Sequence, residues 1–499
     1  MLKLQLVTSN KNLVMNQKSN HSIYSTIHKE LESTTNLFFP KFIFSIISIL
    51  FLGSLSLLVI HFNGFKDYYF ENIFRINGFS FLIWTTVTFF SSIVSKYAIN
   101  YLQGFKYQNR FMILCLVFTL SVMMLVIANH IVVLLLSWLL MGLLMSQLIG
   151  IDKDWKEAKA ALRYTRKYFI TGFCFLTIGV LNLAFYSNEY YLEEIVALIP
   201  TFPKYILIIS AVSIILAAVV QSAMYPFHKW LLSAMTAPTP ASALMHAGFV
   251  NGAGILLTLF APLFFKSNLL TTLFIIGGFT AVIAQFTKLI QVNVKQKLAC
   301  STIAQMGFMI MQCGLGFFNA AVAHLILHGF YKAYLFMSSG EEVQKSNPKD
   351  LKQLKIKPLQ AILVLLFGLM GALLFVTWTG KGLALNSGLF LTLVVAITVG
   401  QITYNIVKEK SFSVFQKMVF PAILFILGIG LYSITYVGVT HLLEDMPMVD
   451  VPTRISWPQI IFGLLFLIGF FIMKLGVYKK LPWLYVKLLN LSQPYRKTI

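Results

Sequence analysis

Residues 221–260 read QSAMYPFHKWLLSAMTAPTPASALMHAGFVNGAGILLTLF, and this stretch decides how the rest of the chain is interpreted. An apolar run ends at Pro226, where a helix loses a backbone donor and must bend or stop. A second interruption follows at Pro238 and Pro240, and the apolar run after it carries His246. Inside a bilayer, an interrupted backbone is tolerated only within protein or beside a water-filled cavity. Because broken spans mark the ion or substrate sites of transporters, the stretch predicts a site at membrane depth.

The composition is that of a membrane protein. Of the 499 residues, 58% are hydrophobic and 11% are charged, whereas soluble domains carry about 25% charged residues. The net charge of +22 does not indicate nucleic acid, because membrane proteins collect Lys and Arg in cytoplasmic loops. The four cysteines form no CxxC pair and no nucleotide-binding glycine motif is present, so we expect no metal, no cofactor and no NADH oxidation by this chain.

Fourteen apolar runs are long enough to cross a bilayer, which predicts an all-α polytopic membrane protein. They fall near residues 41–61, 76–99, 111–128, 131–150, 167–186, 204–225, 240–262, 269–290, 299–316, 320–340, 358–378, 384–407, 413–438 and 457–476. Residues 1–40 form a polar arm without the apolar core of a signal peptide.

The loops between these runs alternate in charge. Lys and Arg are concentrated in alternate loops such as 151–168 and 341–357, whereas the loops between them carry acidic residues such as Glu193 and Asp450. The positive-inside rule then predicts a multi-pass protein with both termini in the cytoplasm, and the membrane expected for it is the bacterial inner membrane. The two basic loops either form a docking surface for a partner or serve only to fix the topology.

Three ionisable side chains lie in one predicted span. His324, His328 and Lys332 are spaced i, i+4, i+8, which places them on one helix face. A His pair at this spacing can bind zinc, but no third ligand is near and a lysine would repel the cation. A relay of exchangeable protons fits better, because His titrates near neutral pH and desolvation lowers the pKa of a lysine. The alternative is three unrelated groups satisfied by interhelical hydrogen bonds.

Two further positions are candidates for the same pathway. His246 is followed closely by Asn251, and the flanking prolines favour a cavity over a neutral His that bonds to a neighbouring carbonyl. Lys381 lies between Gly380 and Gly382, where a second apolar run is interrupted. Matching interruptions in two halves suggest an internal repeat, although a loop lysine at the outer surface would give the same pattern.

Two other lysines are not counted among the candidate pathway residues. Lys295 and Lys297 stand at a predicted helix start, and we interpret them as interfacial charges that hold the topology.

Three motifs resemble one family of membrane proteins. APTPASALMHAG at 237–248, HLILHGFYKAYLF at 324–336 and KQKLACSTIAQMGFM at 295–309 resemble segments of the antiporter-like subunits of respiratory complex I and of Mrp cation/proton antiporters. The resemblance implies two five-helix inverted repeats, each with a broken helix, joined by a central line of protonatable residues.

The resemblance also implies an organisation of the chain and one further pathway residue. The repeats would be residues 111–262 and 263–407, preceded by helices within 41–110 and followed by helices and a basic tail within 408–499. The terminal lysine of the family's line corresponds to Lys381.

The chain departs from the family at one charge pair. The family has a Glu–Lys pair, and Leu139 and Gln221 stand at those two places. A buried lysine without its glutamate would be an unpaired charge, so the joint loss of both is coherent. Gln221 can orient water but cannot store a proton.

With these departures, LMHAGFVNGAG at 244–254 is most similar to the membrane subunits of the DAB inorganic-carbon pumps. That resemblance implies a large cytoplasmic, zinc-containing partner of the DabA type, on which cation flow (H⁺ or Na⁺) through the membrane drives CO2 hydration to bicarbonate. The alternatives are a proton-pumping or Na⁺/H⁺ antiporter subunit of a complex I-like or Mrp-type assembly, and a scaffold that has lost conduction. The chain itself is expected to be a transporter subunit in the lipid bilayer and not an enzyme.

Overall fold

The computed structural model describes residues 37–64, 68–339, 358–382, 384–407, 413–475 and 481–498. Most of the predicted polar arm and the 341–357 loop lie outside these residues. Predictions about that arm, and about the 341–357 loop as a docking surface, therefore stay predictions.

The described chain consists of helices and one small β-hairpin. The hairpin pairs β1 (Tyr68–Phe70) with β2 (Phe74–Ile76) in antiparallel register. The α-helices are α1 Phe38–Phe62, α2 Gly78–Tyr101, α3 Gln108–Ile127, α4 Ile131–Ile149, α5 Lys156–Ser187, α6 Leu192–Leu198, α7 Lys204–Gln221, α8 Lys229–Ser233, α9 Thr239–Ala247, α10 Gly252–Leu259, α11 Ala261–Lys266, α12 Leu270–Ile290, α13 Val294–Gly314, α14 Phe318–Met337, α15 Pro358–Thr379, α16 Gly388–Val407, α17 Val414–Leu442, α18 Trp457–Leu475 and α19 Pro482–Leu491.

Each of the fourteen predicted apolar runs lies on one or more of these helices. Among the described residues, nine helical segments are long and apolar enough to cross a membrane. The helices α13 and α14 have 21 and 20 residues, but polar side chains lower their hydropathy. The prediction of an all-α polytopic membrane protein is confirmed.

Loops that were predicted to lie outside contact one another at one end of the molecule. Arg75 of β2 forms an ion pair with Asp445, with 2.7 Å between nitrogen and oxygen. His130 forms a β-bridge with Tyr191. Together with a β-bridge between Phe74 and Ala128, these contacts join four links that are far apart in sequence.

Segments that were predicted to lie inside meet at the other end. Lys106 Nζ lies 3.2 Å from a carboxylate oxygen of Asp154. The C-terminal segment after α19 also reaches this end, where the Tyr495 ring stacks on Tyr164 with 4.3 Å between centroids. The two groups of loops thus match the predicted alternation, and the identity of the cytoplasmic side stays a prediction.

The interrupted segment lies at the centre of the fold. In the span Thr239–Leu259, 89% of the most apolar 18-residue window is buried within the protein, against 17% for α1. Peripheral helices such as α1 expose apolar side chains to lipid, whereas this span is surrounded by protein. The sequence stretch that decided the interpretation is therefore also the structural core.

Candidate proton or cation pathway

The backbone is interrupted three times between α7 and α10. Helix α7 ends at Gln221, and the chain around Pro226 is not helical before α8 begins. A second interruption at Ala237 and Pro238 precedes α9, which has Pro240 in its first turn. A third, from Gly248 to Asn251, follows α9 directly and was not predicted from the sequence.

Side chains next to the break bond to backbone carbonyls in the third interruption. Gln221 donates from Nε2 to the Phe249 carbonyl at 3.1 Å, and Ser222 donates from Oγ to the Val250 carbonyl at 2.6 Å. Buried carbonyls need such partners because no water is present in a bilayer core. Gln221 thus bonds to the backbone. Where the family has the lysine of its charge pair, this chain has a neutral amide with a structural role.

Helix α13 supplies donors from the opposite side. Lys295 donates from Nζ to the Ala237 carbonyl at 2.9 Å, and Gln296 donates from Nε2 to the Leu232 carbonyl at 3.2 Å. The interpretation of Lys295 as an interfacial charge stays a prediction, and the structure adds that its ammonium group bonds to the second interruption. A lysine near a helix start does not by itself predict such a bond, so the sequence held no signal for this contact.

His246 lies at the end of α9 and is fully buried. Neither ring nitrogen has a hydrogen-bonding partner among the described residues, and the ring stacks on Phe336 with 4.3 Å between centroids. His246 therefore does not bond to a carbonyl of the described residues, which was the alternative stated for it. Asn251 donates from Nδ2 to the Ala247 carbonyl at 2.8 Å and approaches the Leu325 carbonyl at 3.4 Å, which ties the break to α14.

Three predicted residues follow one another along α14. The rings of His324 and His328 are 6.0 Å apart between centroids, and the Nε2 atom of each has no partner in the described chain. Lys332 is fully buried and donates from Nζ to the Leu298 carbonyl at 3.0 Å. His328 interacts electrostatically with Lys332, His324 and His246. The structure therefore brings these four titratable groups together between α9 and α14.

Lys381 lies apart from this cluster. Its Nζ is 2.9 Å from a carboxylate oxygen of Asp450 and 5.5 Å from the Phe317 ring centroid, just before α14 begins. Since Lys332 is 15 residues further along, the two ammonium groups are separated by roughly 20 Å along the helix axis. A relay from Lys332 to Lys381 needs intermediate groups or water.

The interruption at Lys381 also differs in form from the first one. Helix α15 ends at Thr379 and α16 begins at Gly388, and these helices have 22 and 20 residues. Gly380 and Gly382 have φ of +67° and +96°, in the left-handed region that glycine adopts most easily. The glycines thus connect two long helices, whereas the break at Pro226 separates shorter ones.

Polar residues that the sequence analysis did not select continue from Lys381. Tyr436 donates from its hydroxyl to Asp450 at 3.3 Å. The Tyr432 ring is 6.2 Å from that of Tyr436, and Tyr432 lies beside Gln312. These residues come from α13, α17 and the link after α17. Only their packing in the fold makes them neighbours of the candidate pathway.

The structure also shows the surroundings of Leu139, which stands where the family has a glutamate. Leu139 is only partly buried. Met141, two residues further along α4, lies with Gln221 around Gly252, both within 3.6 Å of a Cβ placed there. Two residues correspond to about 200° of helix rotation, so Leu139 and Met141 occupy different faces.

The described residues contain no group of three His, Cys, Asp or Glu side chains that could hold a metal ion. The structure therefore gives the zinc alternative for His324 and His328 no third ligand within the part of the chain that it describes.

Fold and site together define a polytopic membrane protein with a line of buried titratable residues beside a broken helix. Residues 128–407 match the family described as NADH:quinone oxidoreductase/Mrp antiporter, transmembrane. Because this match covers more than half of the chain, the protein belongs to that family.

Several curated relatives are similar to the chain. A probable inorganic carbon transporter subunit DabB of Bacillus anthracis is 34% identical over 312 residues, which are 60% of this chain and 59% of that protein. DabB2 of Halothiobacillus neapolitanus is 30% identical over 74% of this chain and 62% of its own length. NADH-quinone oxidoreductase subunit L of Rickettsia bellii is 31% identical over 55% and 45%. The matched region spans about half to three fifths of these relatives.

Two solved structures have a similar fold. The Mrp complex from Dietzia sp. matches 90% of this chain and 55% of its own chain with a TM-score of 0.59 and 20% identity. An archaeal membrane-bound sulfane sulfur reductase matches 94% and 95%, with a TM-score of 0.57 and 19% identity. At this level of identity the likeness concerns the fold alone.

Proposed function

We propose that the protein is the cation-conducting membrane subunit of an energy-coupled inorganic-carbon pump, and that the cation is H⁺. Proton flow through it drives CO2 hydration to bicarbonate on a cytoplasmic zinc protein of the DabA type. The observation that carries this proposal is the cluster of His246, His324, His328 and Lys332, of which His324 is half-buried and the others are buried. None of them has a carboxylate partner among the described residues. The similarity to DabB subunits supports the choice of inorganic carbon.

The cluster has the chemistry that a proton relay needs. Buried ionisable groups in a membrane protein are costly and mark ion pathways. The unpartnered ring nitrogens of His246, His324 and His328 leave positions at which a proton can be gained or lost. Lys332 bonds to a neutral carbonyl, so no ion pair fixes its proton in place.

The test uses a bacterial host that lacks carbonic anhydrase and cannot grow in ambient CO2. Co-expression of the chain with a zinc protein of the DabA type should restore growth, and neither component alone should do so. Lys332→Ala should abolish growth at normal membrane expression. The control Lys266→Ala removes an exposed lysine at the end of α11 and should have no effect. Full growth of the Lys332→Ala strain would contradict the relay.

A second function is favoured by the similarity to subunit L and by the Mrp-like fold. In that case the chain exchanges Na⁺ for H⁺, or pumps protons, within a larger complex. It predicts that the chain, with neighbouring complex subunits, restores growth of a sodium-sensitive host in high salt and gives no growth in ambient CO2. The absence of the Glu–Lys pair at Leu139 and Gln221 speaks against this alternative.

A further inference from the structure

A cavity in the second half of the protein adjoins the His–His–Lys helix. It has a volume of about 640 Å³ and lies between helices α12 to α18. Along α14 its lining extends from His324 to Tyr331, roughly 10 Å at 1.5 Å per residue. The lining includes Lys288, in the last turn of α12, and Tyr331, whose side chain is exposed.

Polar side chains in this lining lack protein partners. Lys288, Gln285 and Gln305 form no hydrogen bond or ion pair with other described residues. In the same lining, the buried atoms Gln312 Oε1 and His324 Nε2 also have none within the described chain. Unsatisfied polar groups are expensive in a low-dielectric interior, and a cavity of this volume has room for many water molecules. The lining therefore indicates a hydrated space that reaches His324.

The charge of the lining has a single sign. It contains a lysine but no aspartate or glutamate, and Lys288 lies close enough to Lys332 and Lys297 for electrostatic interaction. A metal cation in this space would meet an ammonium group without the carboxylate ligands that hard cations prefer. A proton differs, because it can be exchanged between water, lysine and histidine without the passage of an intact ion.

We propose that this cavity is a water-filled branch of the pathway and that Lys288 makes it selective for protons against metal cations. The inference rests on the proposed cation conduction, and it names H⁺ as the ion that reaches His324. It adds a residue on α12, outside the line of His246, His324, His328 and Lys332.

Hydration is tested by cysteine accessibility, which does not depend on transport. Ala281 and Ala304 line the cavity, whereas Ala284 and Ala299 are buried on the same two helices away from it. In a version without native cysteines, charged methanethiosulfonate reagents should modify Ala281→Cys and Ala304→Cys but not Ala284→Cys or Ala299→Cys. If the cysteine-free protein does not fold, only the exposed Cys174 is replaced, because the other three are buried. Equal protection of all four positions in the folded protein would overturn the branch.

The role of Lys288 is tested by the charge of the reagent and by ion flux. At Ala304→Cys the negative reagent should react faster than the positive one. Lys288→Gln should lower that ratio on the order of tenfold, whereas Lys288→Arg should preserve it. In proteoliposomes, Lys288→Gln should admit ²²Na⁺ and Lys288→Arg should exclude it. An unchanged ratio and unchanged Na⁺ exclusion in folded Lys288→Gln would show that this residue does not set selectivity, even if the protein conducts protons.

Discussion

At the scale of single residues, two lysines in similar apolar contexts have different surroundings. Lys332 is fully buried and bonds to a neutral carbonyl, whereas Lys381 is partly exposed and forms an ion pair with Asp450. The charge of Lys381 is therefore balanced by a carboxylate, whereas that of Lys332 has no such partner among the described residues. The two should therefore respond differently to substitution.

For Lys332, both Ala and Arg are expected to abolish proton flux. Alanine removes the titratable site, and arginine keeps its proton throughout the accessible pH range. Flux is measured as the decay of an imposed pH gradient in vesicles that contain equal amounts of each variant. Flux through Lys332→Arg equal to that of the original chain would show that no proton leaves this side chain during transport.

For Lys381, the expected effect of a substitution depends on its ion-pair partner Asp450. Lys381→Asp should reduce activity because it places two carboxylates together, and Asp450→Lys should reduce it because it places two ammonium groups together. The double variant Lys381→Asp with Asp450→Lys restores the ion pair in reverse and should recover stability. If it recovers melting temperature but not proton flux, Lys381 belongs to the pathway. If it recovers both, the lysine serves only the ion pair.

The missing charge pair can be restored in two geometries. Gln221→Lys should impair folding or activity, because it buries an unpaired charge. Met141→Glu should rescue this variant better than Leu139→Glu, since Met141 lies beside Gln221 around Gly252. The readout is the amount of folded protein in the membrane by fluorescence-detected size exclusion. Rescue by Leu139→Glu alone would mean that α4 rotates relative to this structure.

At the scale of elements, local chemistry was predictable and distant contacts were not. The break at Pro226 follows from a property of proline itself. The shared helix face of His324, His328 and Lys332 follows from helix periodicity. The third interruption was missed because Gly248 in an apolar run also fits a continuous helix. The partner of Lys381 is 69 residues away in sequence, and only the packing of the link after α17 brings it near.

The pair α12–α13 depends on a close approach of two backbones. A Cβ on Gly307 would lie 2.7 Å from the Gly277 carbonyl oxygen and from the Ala281 nitrogen, so the helices would have to separate. Gly307→Ala should lower the free energy of unfolding by about 1–3 kcal/mol. In contrast, Gly438 in α17 has open space around it, and Gly438→Ala should be neutral or slightly stabilising. Thermal unfolding in detergent compares the two. Equal melting temperatures would show that the helices are not in this contact.

At the scale of the whole molecule, the break is tied to parts of the chain that are distant in sequence. His228 Nε2, just before α8, lies 2.8 Å from the Leu491 carbonyl oxygen at the end of α19, and Tyr495 donates its backbone N–H to Ser233 Oγ at 2.9 Å. The C-terminal segment was predicted only as part of a basic tail. Its contacts show that the described part after α19 packs against the broken helix, at the end of the molecule that carries the basic loops.

The two ends of the molecule also make the topology testable as a unit. Contacts join Arg75 to Asp445 and Glu193 at one end and Lys106 to Asp154 at the other, so each end must lie wholly on one side of the membrane. The distribution of lysine and arginine predicts that the second end faces the cytoplasm. A cysteine introduced at Lys156, at the start of α5, should therefore react with a membrane-impermeant reagent only after intact cells are permeabilised. A cysteine at Glu189, in the link after α5, should react in intact cells. The two positions are joined by the single helix α5. The opposite labelling pattern would therefore mean that the orientation of every helix is the reverse of the predicted one. Labelling of both positions from outside would mean that α5 does not cross the bilayer.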